Sequence, residues 1–535
     1  MPVAVPGNRW DLFDVPELGA WEPSLRVSVV IPYYENPDEL ELTLAGLSQQ
    51  TYPPELTEVV VVDDGSHIHP AQLPPDLPFE AFVLRQQDLG FGAGRARNYG
   101  LREASGEVVI FLDSDMIPQR HHVEAHARWH HCAGRLVTLG FRLHADFSSI
   151  TADRIAEAVK RDAMSELFEP EEVARPEWIE AHVTRTENLL APVEDLYLMM
   201  SGGNLGVDRQ LYLEVGGTDE TFTRWGGEDN ELAYRLLQAG AVVVPERSAT
   251  TWHQGEGHVP SEEEVRSLRI QRLKMQALIP QAASRRTVPG RIYERPRLLV
   301  HVDPAGYPAE IVAVTVDSIL ANDFTDLVVG VGPIDDEEDR VWLHENYSGE
   351  PRVYLEKDAE ELFASSPYSP ARLTVTAGTG FSADTLDLVM QHLGNAGYGL
   401  IHITLPHGGE GLRLGRLVLT RAENRARALG VGQELIEVEI GHMFGERWLS
   451  GASLGMWPVE DPIVDLGRVR MRIRSGSGSA LEIEELVQRI EEMQNRRVML
   501  LMNGLGTLIR ARSWAEIRQG LGSIKRGLFG RRTQA

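Results

Sequence analysis

Short apolar runs punctuate the first half of the chain, and helical or polar stretches separate them. Val27 to Ile31, Glu58 to Val62 and Val108 to Leu112 are rich in β-branched and aromatic residues. Runs of this length and composition predict strands buried on both faces. Leu40, Leu44 and Leu47 recur at helical spacing between the first two runs. Strand, helix, strand in that order predicts a right-handed βαβ crossover. Phe82-Val83-Leu84 predicts a third, shorter strand, and Gly90-Phe-Gly-Ala-Gly94 opens a helix carrying Arg95, Arg97 and Asn98. Residues 152–190 read as charged amphipathic helices, expected to shape one wall of a cleft. The helical pattern returns from Glu228, with Leu232, Leu236 and Leu237 on one face, and Ala241 to Pro245 predicts another strand.

A similar alternation begins again at Arg297. Strand-like "RLLVHV", a helix through Val314 and Ile319, "DLVVGVG" and "RLTVTAG" follow one another. "TGFSADTLDLV" and "GRLVLTRAENRARALG" then resemble the earlier "VVIFLDSDMIPQRHHV" and "NLGVDRQLYLEVGG". The expected organisation is an arm at 1–25, one α/β domain at 26–285, a second at 295–470 and a helical tail at 480–535. Aligning Ile117-Pro118 with Phe381-Ser382 sets Asp113 against Ala377 and Asp115 against Thr379, so the second domain keeps no carboxylate pair. A non-catalytic partner domain and an unrelated α/β domain both remain open. Arg474 to Ser479 reads as a flexible linker.

Length and charge narrow the class. A chain of 535 residues exceeds one core. A formal net charge of -27 argues against general nucleic-acid binding. The single cysteine, Cys132, excludes an internal disulfide and implies a reducing compartment. Residues 1–20 do not read as a signal peptide, and no run approaches a membrane span. The tail changes sign: Trp514, Ile517, Leu521 and Phe529 interleave with Arg510, Arg518, Lys525 and Arg531. This suits an interfacial helix on anionic lipid, or equally a helix docked on protein. The expected location is cytoplasmic, at the inner face of the membrane where such a tail would dock.

Chemistry collects at the predicted strand ends. Pro32-Tyr33-Tyr34-Glu35, Asp63-Asp64 and Asp113-Ser114-Asp115 each close an apolar run, and α/β sheets bind ligands at that rim. Paired carboxylates there call for a cation, best a hard divalent ion bridging to phosphate. Amides and arginines at the helix start near Arg97 suit an anion. His121, His122, His126, His130, His131 and His144 make a zinc site conceivable, but a solvated helix beside the cleft is the favoured reading. Glycines around Gly203-Asn204 allow close approach of backbone to ligand. Glu228-Asp229 opens a helix, either as an ordinary cap or as site carboxylates; Trp225-Gly226-Gly227 before it favours the second.

In order and spacing, "VSVVIPYYEN", "VVVVDDGS", "GAGRARNYG" and "VVIFLDSDMIP" resemble family 2 glycosyltransferases of GT-A fold. The stretch from Gly202 through "WGGEDNELAYRL" resembles the C-terminal half of galactosyltransferase-type enzymes. The resemblance implies an α/β fold with a mixed, mostly parallel sheet. It implies a metal-dependent, inverting transfer of a hexose or N-acetylhexosamine from a nucleotide sugar, UDP-linked by expectation, to a glycan or lipid-linked acceptor in envelope polysaccharide synthesis. Donor contacts would be Pro32, Tyr34, Glu35, Asp63, Asp64, Arg97, Asp113 and Ser114. A Mn2+ or Mg2+ ion would sit on Asp113, Asp115 and His253, with His258 as second choice. Asp229 would be the base beside Glu228, and Trp225, Gly226, Gly227, Gly203 and Asn204 would meet the acceptor. A homo-oligomer is a further expected partner state. A nucleotidyltransferase and a glycan-binding scaffold are the alternatives; the first would want a glycine-rich, basic loop where "PYYENP" stands.

Overall fold

The computed structural model describes residues 4–70, 73–255, 261–281, 285, 291–393, 398–407 and 410–459. His258, the serine-glycine linker and the basic tail lie outside the described residues. The described chain belongs to one compact unit.

The first lobe is built on eight strands: β1 Val27–Tyr33, β2 Thr57–Asp63, β3 Glu80–Arg85, β4 Val108–Leu112, β5 Met116–Pro118, β6 Leu136–Ala145, β7 Asn204–Asp208 and β8 Val242–Gln254. Their order is β3-β2-β1-β4-β7-β6-β8-β5. The first four are parallel, β7 is antiparallel to both β4 and β6, and β6 and β8 are parallel. β1, β2 and β4 bury almost every residue because helices cover both faces. Eight helices accompany them: α1 Pro37–Leu47, α2 Ala93–Glu103, α3 His122–Cys132, α4 Ala152–Lys160, α5 Glu177–Arg185, α6 Arg209–Glu214, α7 Glu228–Gln238 and α8 Glu262–Leu278. The sequence anticipated this α/β class and the mostly parallel core. α3 departs from expectation, because it is not a solvated helix: His122, His126 and His130 are buried against β6 and β7.

The second lobe carries β9 Leu298–Asp303, β10 Leu327–Val331, β11 Val353–Leu355, β12 Ala371–Thr376, β13 Thr379–Phe381, β14 Leu400–His407, β15 Glu410–Leu419, β16 Glu446–Ser450 and β17 Met456–Pro458. Helices α9 Ala309–Leu320, α10 Glu337–Tyr347, α11 Ala359–Ser365, α12 Thr385–Met390, α13 Thr420–Ala428 and α14 Ile436–Phe444 complete it. Its main sheet runs β11-β10-β9-β12-β15-β14-β16. Strand for strand, this reproduces the order and the parallel or antiparallel sense of β3-β2-β1-β4-β7-β6-β8.

The short strands refine the correspondence. Met116 pairs with His253 and Ile117 with Trp252, while Thr379 pairs with Pro458 and Gly380 with Trp457. The Gln254 amide donates to the Asp115 carbonyl, as the Val459 amide donates to that of Gly378. Asp115 therefore corresponds to Gly378 and Asp113 to Thr376, one residue from the alignment read off the sequence. His253 corresponds to Pro458. The carboxylate pair is missing either way.

Arg425 of α13 joins the lobes. Its buried guanidinium donates to the carbonyls of Gly240 and Ala241 at 2.9 Å each, and to those of Val5 and Gly7 in the N-terminal arm. The arm is itself stitched to the first sheet: Asn8 exchanges two hydrogen bonds of 2.8 Å with the Val243 backbone. Trp10 packs edge-on against Trp129 with ring centroids 5.8 Å apart.

Candidate active site

The carboxyl ends of β1, β2 and β4 open into a cleft of about 1250 Å3. One end is lined by Pro32, Tyr34, Asp64, Asp88 and Phe91, the middle by Asp113, Ser114, Asp115 and His253, and the far side by Trp225 to Asn230. Gly226 and Gly227 have φ of 100° and 97°, a backbone that glycine alone adopts without strain. That turn delivers Glu228 and Asp229 to the cleft as α7 begins.

Arg97 of α2 ties the two acidic motifs together. Its guanidinium donates to Asp113 Oδ1 at 2.8 Å and to Asp229 Oδ1 at 3.2 Å. Asp229 Oδ2 accepts from the Gly202 amide at 2.8 Å. Arg97 is 4% exposed, and Asp113, Asp229 and Glu228 raise its affinity for its proton against the cost of burial. It lines the cleft and braces the acidic groups there.

Two carboxyls are held in an unusual state. Burial, with the charge of Asp113, pushes Asp115 up to about 7. Burial, with the charge of Asp229, pushes Glu228 up to about 7. Asp115 Oδ1 and Glu228 Oε2 are buried without a hydrogen-bond partner among the described residues. His253 Nε2 stands 3.2 Å from Asp115 Oδ2, and its ring lies 4.5 Å from that of His144.

Among the described residues no three His, Cys, Asp or Glu side chains converge as a closed metal cage. The set fits an open site instead. Asp115 and His253 offer two ligands in contact, and the orphaned, protonation-prone Asp115 oxygen is what a cation would relieve. Asp113 is less free for this role, with Oδ1 on Arg97 and the rest of its carboxylate against Gly203.

Several sequence-singled residues lie elsewhere. Asp63 accepts from the Ser66 amide at 2.8 Å and from His69, and Glu35 accepts from the amides of His67 and Ile68; both brace the loop after β2 rather than line the cleft. Gly203 lies under Asp113. Asn204 is 5% exposed and does not reach the cleft. Its Oδ1 meets His122 Nε2 at 2.9 Å and His126 Nε2 at 3.0 Å, while Nδ2 donates to the Phe141 and Ala249 carbonyls at 3.1 Å and 2.9 Å. The histidines on α3 are thus structural, and burial pushes His122 and His126 down to about 3.

Arg142, Arg175, Trp178 and Met200 also line the cleft without a role assigned from sequence, as does His144, singled out only among the candidate zinc histidines. Arg142 and His144 alternate with Phe141 and Leu143 on β6, a period-two signal that marks one face of a strand. Arg175 and Trp178 come from the segment expected to shape a wall of the cleft.

The cleft and its acidic groups lie at the switch of a mostly parallel sheet, the place where such sheets bind their ligands. Residues 28–167 match the family model "Glycosyl transferase family 2", and residues 193–250 match "N-terminal domain of galactosyltransferase"; both matches fall within the first lobe. Chondroitin synthase of Escherichia coli is 27% identical over 383 residues, 69% of this chain and 55% of that protein. Chondroitin synthase of Pasteurella multocida is 29% identical over 43% of this chain and 25% of its own length. Validoxylamine A glucosyltransferase of Streptomyces hygroscopicus subsp. limoneus is 32% identical over 42% of this chain and 50% of its own. The chain thus spans about half the length, or less, of these relatives. A mannosyltransferase of Pyrobaculum calidifontis, solved with GDP-Man and Mn2+, is 22% identical over 53% of this chain and 70% of that one, with a TM-score of 0.32, too low to add to the argument. Among the described residues no helix is long and apolar enough to cross a membrane.

Proposed function

We propose that the first lobe transfers a hexose or N-acetylhexosamine from a nucleotide sugar, UDP-linked, to a glycan or lipid-linked acceptor with inversion. The observation that carries this is the Arg97 clamp, which holds one aspartate of the Asp-Ser-Asp motif and one carboxylate of the Glu-Asp motif on the same guanidinium. Tyr34 and Asp64 would hold the nucleoside end. Asp115 and His253 would hold a divalent ion, which, when bound, would neutralise charge developing on the leaving diphosphate.

Asp229 would take the proton from the acceptor hydroxyl as that oxygen bonds to the anomeric carbon. The bond from that carbon to the phosphate oxygen breaks, and its electron pair leaves with the nucleoside diphosphate. The proton ends on the Asp229 carboxylate. Base and leaving group on opposite sides of the ring give inversion. Arg97 and the Gly202 amide fix the base, and the half-exposed Trp225 offers a ring for the acceptor sugar face. The second lobe we read as a copy of the same fold without the chemistry, supported by Thr376, Gly378 and Pro458 at the corresponding positions. A role in envelope polysaccharide synthesis, in the cytoplasm at the inner membrane face, belongs to the same proposal.

A panel of nucleotide sugars, each with and without Mn2+, tests the reading by thermal shift and by release of nucleoside diphosphate. One nucleotide sugar should stabilise the protein only with the ion present. No response to any of them would overturn the proposal.

A further inference from the structure

Arg142 is the one cleft-lining arginine whose charge the protein leaves uncommitted while enclosing it. Among the described residues it makes no hydrogen bond or ion pair, and its Nε is buried without a partner. Arg97, by contrast, is used up on Asp113 and Asp229. Desolvating a guanidinium without pairing it is costly, so such a group marks a place where a ligand supplies the counter-charge. The carboxylates Asp113, Asp115 and Asp229 lie near enough to favour its charged form but do not contact it.

Its surroundings say what kind of anion fits. The guanidinium lies 5.8 Å from the ring of Trp178, which is 47% exposed. Arg175, exposed and also unpaired among the described residues, stands beside it on the same wall. This wall is assembled from β6, the segment before α5 and the first turn of α5, whereas the nucleoside end is built from β1, β2 and the start of α2. A flat exposed aromatic suits the apolar face of a sugar ring, and a planar fork of N–H donors suits a carboxylate.

We propose that Arg142, with Arg175 and Trp178, forms an acceptor subsite that reads the carboxylate of an acidic sugar. The proposal rests on the glycosyltransferase reading above and names the acceptor class for it. Arg142 would donate two hydrogen bonds to the carboxylate and Trp178 would cover the ring, positioning the neighbouring hydroxyl toward Asp229. Arg142 is then a specificity-determining residue, outside the proton transfer itself.

The test uses the full chain with Mn2+ and two acceptors: a uronic-acid oligosaccharide, and the same glycan with its carboxylates reduced to primary alcohols. Wild-type protein should prefer the acidic glycan by roughly tenfold to a hundredfold in kcat/KM, and in Kd by calorimetry. Arg142→Gln should remove most of that preference, and Arg142→Lys should restore part of it. Arg175→Gln, a surface change that spares the fold, should lower it severalfold. Affinity for UDP with Mn2+ is measured on the same proteins. Equal treatment of the two glycans by wild type, or equal losses in Arg142→Gln, would overturn the proposal. So would a loss of UDP affinity in Arg142→Gln, which would place the guanidinium on the leaving diphosphate. Wild-type protein that binds the acidic glycan selectively but no nucleotide would sink the transferase reading and leave the subsite standing.

Discussion

Asp115 holds a carboxyl in a place that resists its charge. Being pushed up to about 7, it keeps a proton in the folded chain that the unfolded chain has already released, from roughly pH 4 upward. The folded state binds more protons in that window, so its contribution to stability falls as pH rises through it. Asp115→Asn is therefore expected to stabilise the metal-free protein at pH 8 and to be neutral near pH 4, read by urea unfolding. With the side chain still 30% exposed, solvent screens part of the effect, and about 1–2 kcal/mol is the expected size. The same proton competes with a cation. Mn2+ affinity should drop about tenfold per pH unit below 7, measured by calorimetry, and be much weaker in Asp115→Asn. Asp229→Asn keeps the size of the side chain but can accept only one of the two hydrogen bonds that Arg97 and the Gly202 amide donate, and it cannot take up the proton. Transfer per folded molecule should fall by about 10²–10⁴-fold, and near-normal transfer would dismiss Asp229 as the base.

At the scale of elements, Asn204 ties α3, β6, β7 and β8 together beneath the catalytic floor. Asn204→Leu would strand two buried imidazoles and two carbonyls at once. It should cost about 2–4 kcal/mol in chemical denaturation, and activity should fall only in step with the folded fraction. If the variant is stable yet fails to use acceptor, Asn204 touches substrate after all. Its case shows what the chain reveals before folding. Glycine-rich "SGGNLG" looks like backbone approaching a ligand, but what approaches is the Asp113 carboxylate, and the asparagine turns inward to partners far away in sequence. Likewise Glu35 and Asp63 sit in the right motifs and spend their oxygens on their own loop. The strands were legible because β1, β2 and β4 are short runs rich in β-branched and aromatic residues, the composition of strands buried on both faces. Arg142 was not, since its significance lies in the absence of a partner, and partners across a sheet are invisible in a linear pattern.

Across the whole molecule, Arg425 is the bolt between the lobes. Burial pushes its guanidinium down to about 9; among the described residues no carboxylate lies against it, and backbone carbonyls take its hydrogen bonds. Arg425→Met should cost roughly 2–4 kcal/mol and split a single thermal transition into two, since hydrogen bonds to a charged donor are lost on both sides of the junction. A transition that stays single with a small shift would show that the remaining contacts suffice. The lobes share a strand order, but Thr376, Gly378 and Pro458 stand where the first lobe has Asp113, Asp115 and His253, so nucleotide binding to the intact chain should saturate at about one equivalent, by equilibrium dialysis.

The lapsed strand ends of the second lobe also limit what the chain can write. If the one working cleft takes a single donor sugar, it repeats one kind of linkage, as a typist with one key repeats one letter. On the one-site reading, a glycan that alternates two sugars needs a second catalyst to add every other unit. Each turnover then ends with an acceptor whose new terminus belongs to that other enzyme. The chain's product would be a handover rather than a finished polymer, and the length of that polymer would depend on the supply of the partner activity.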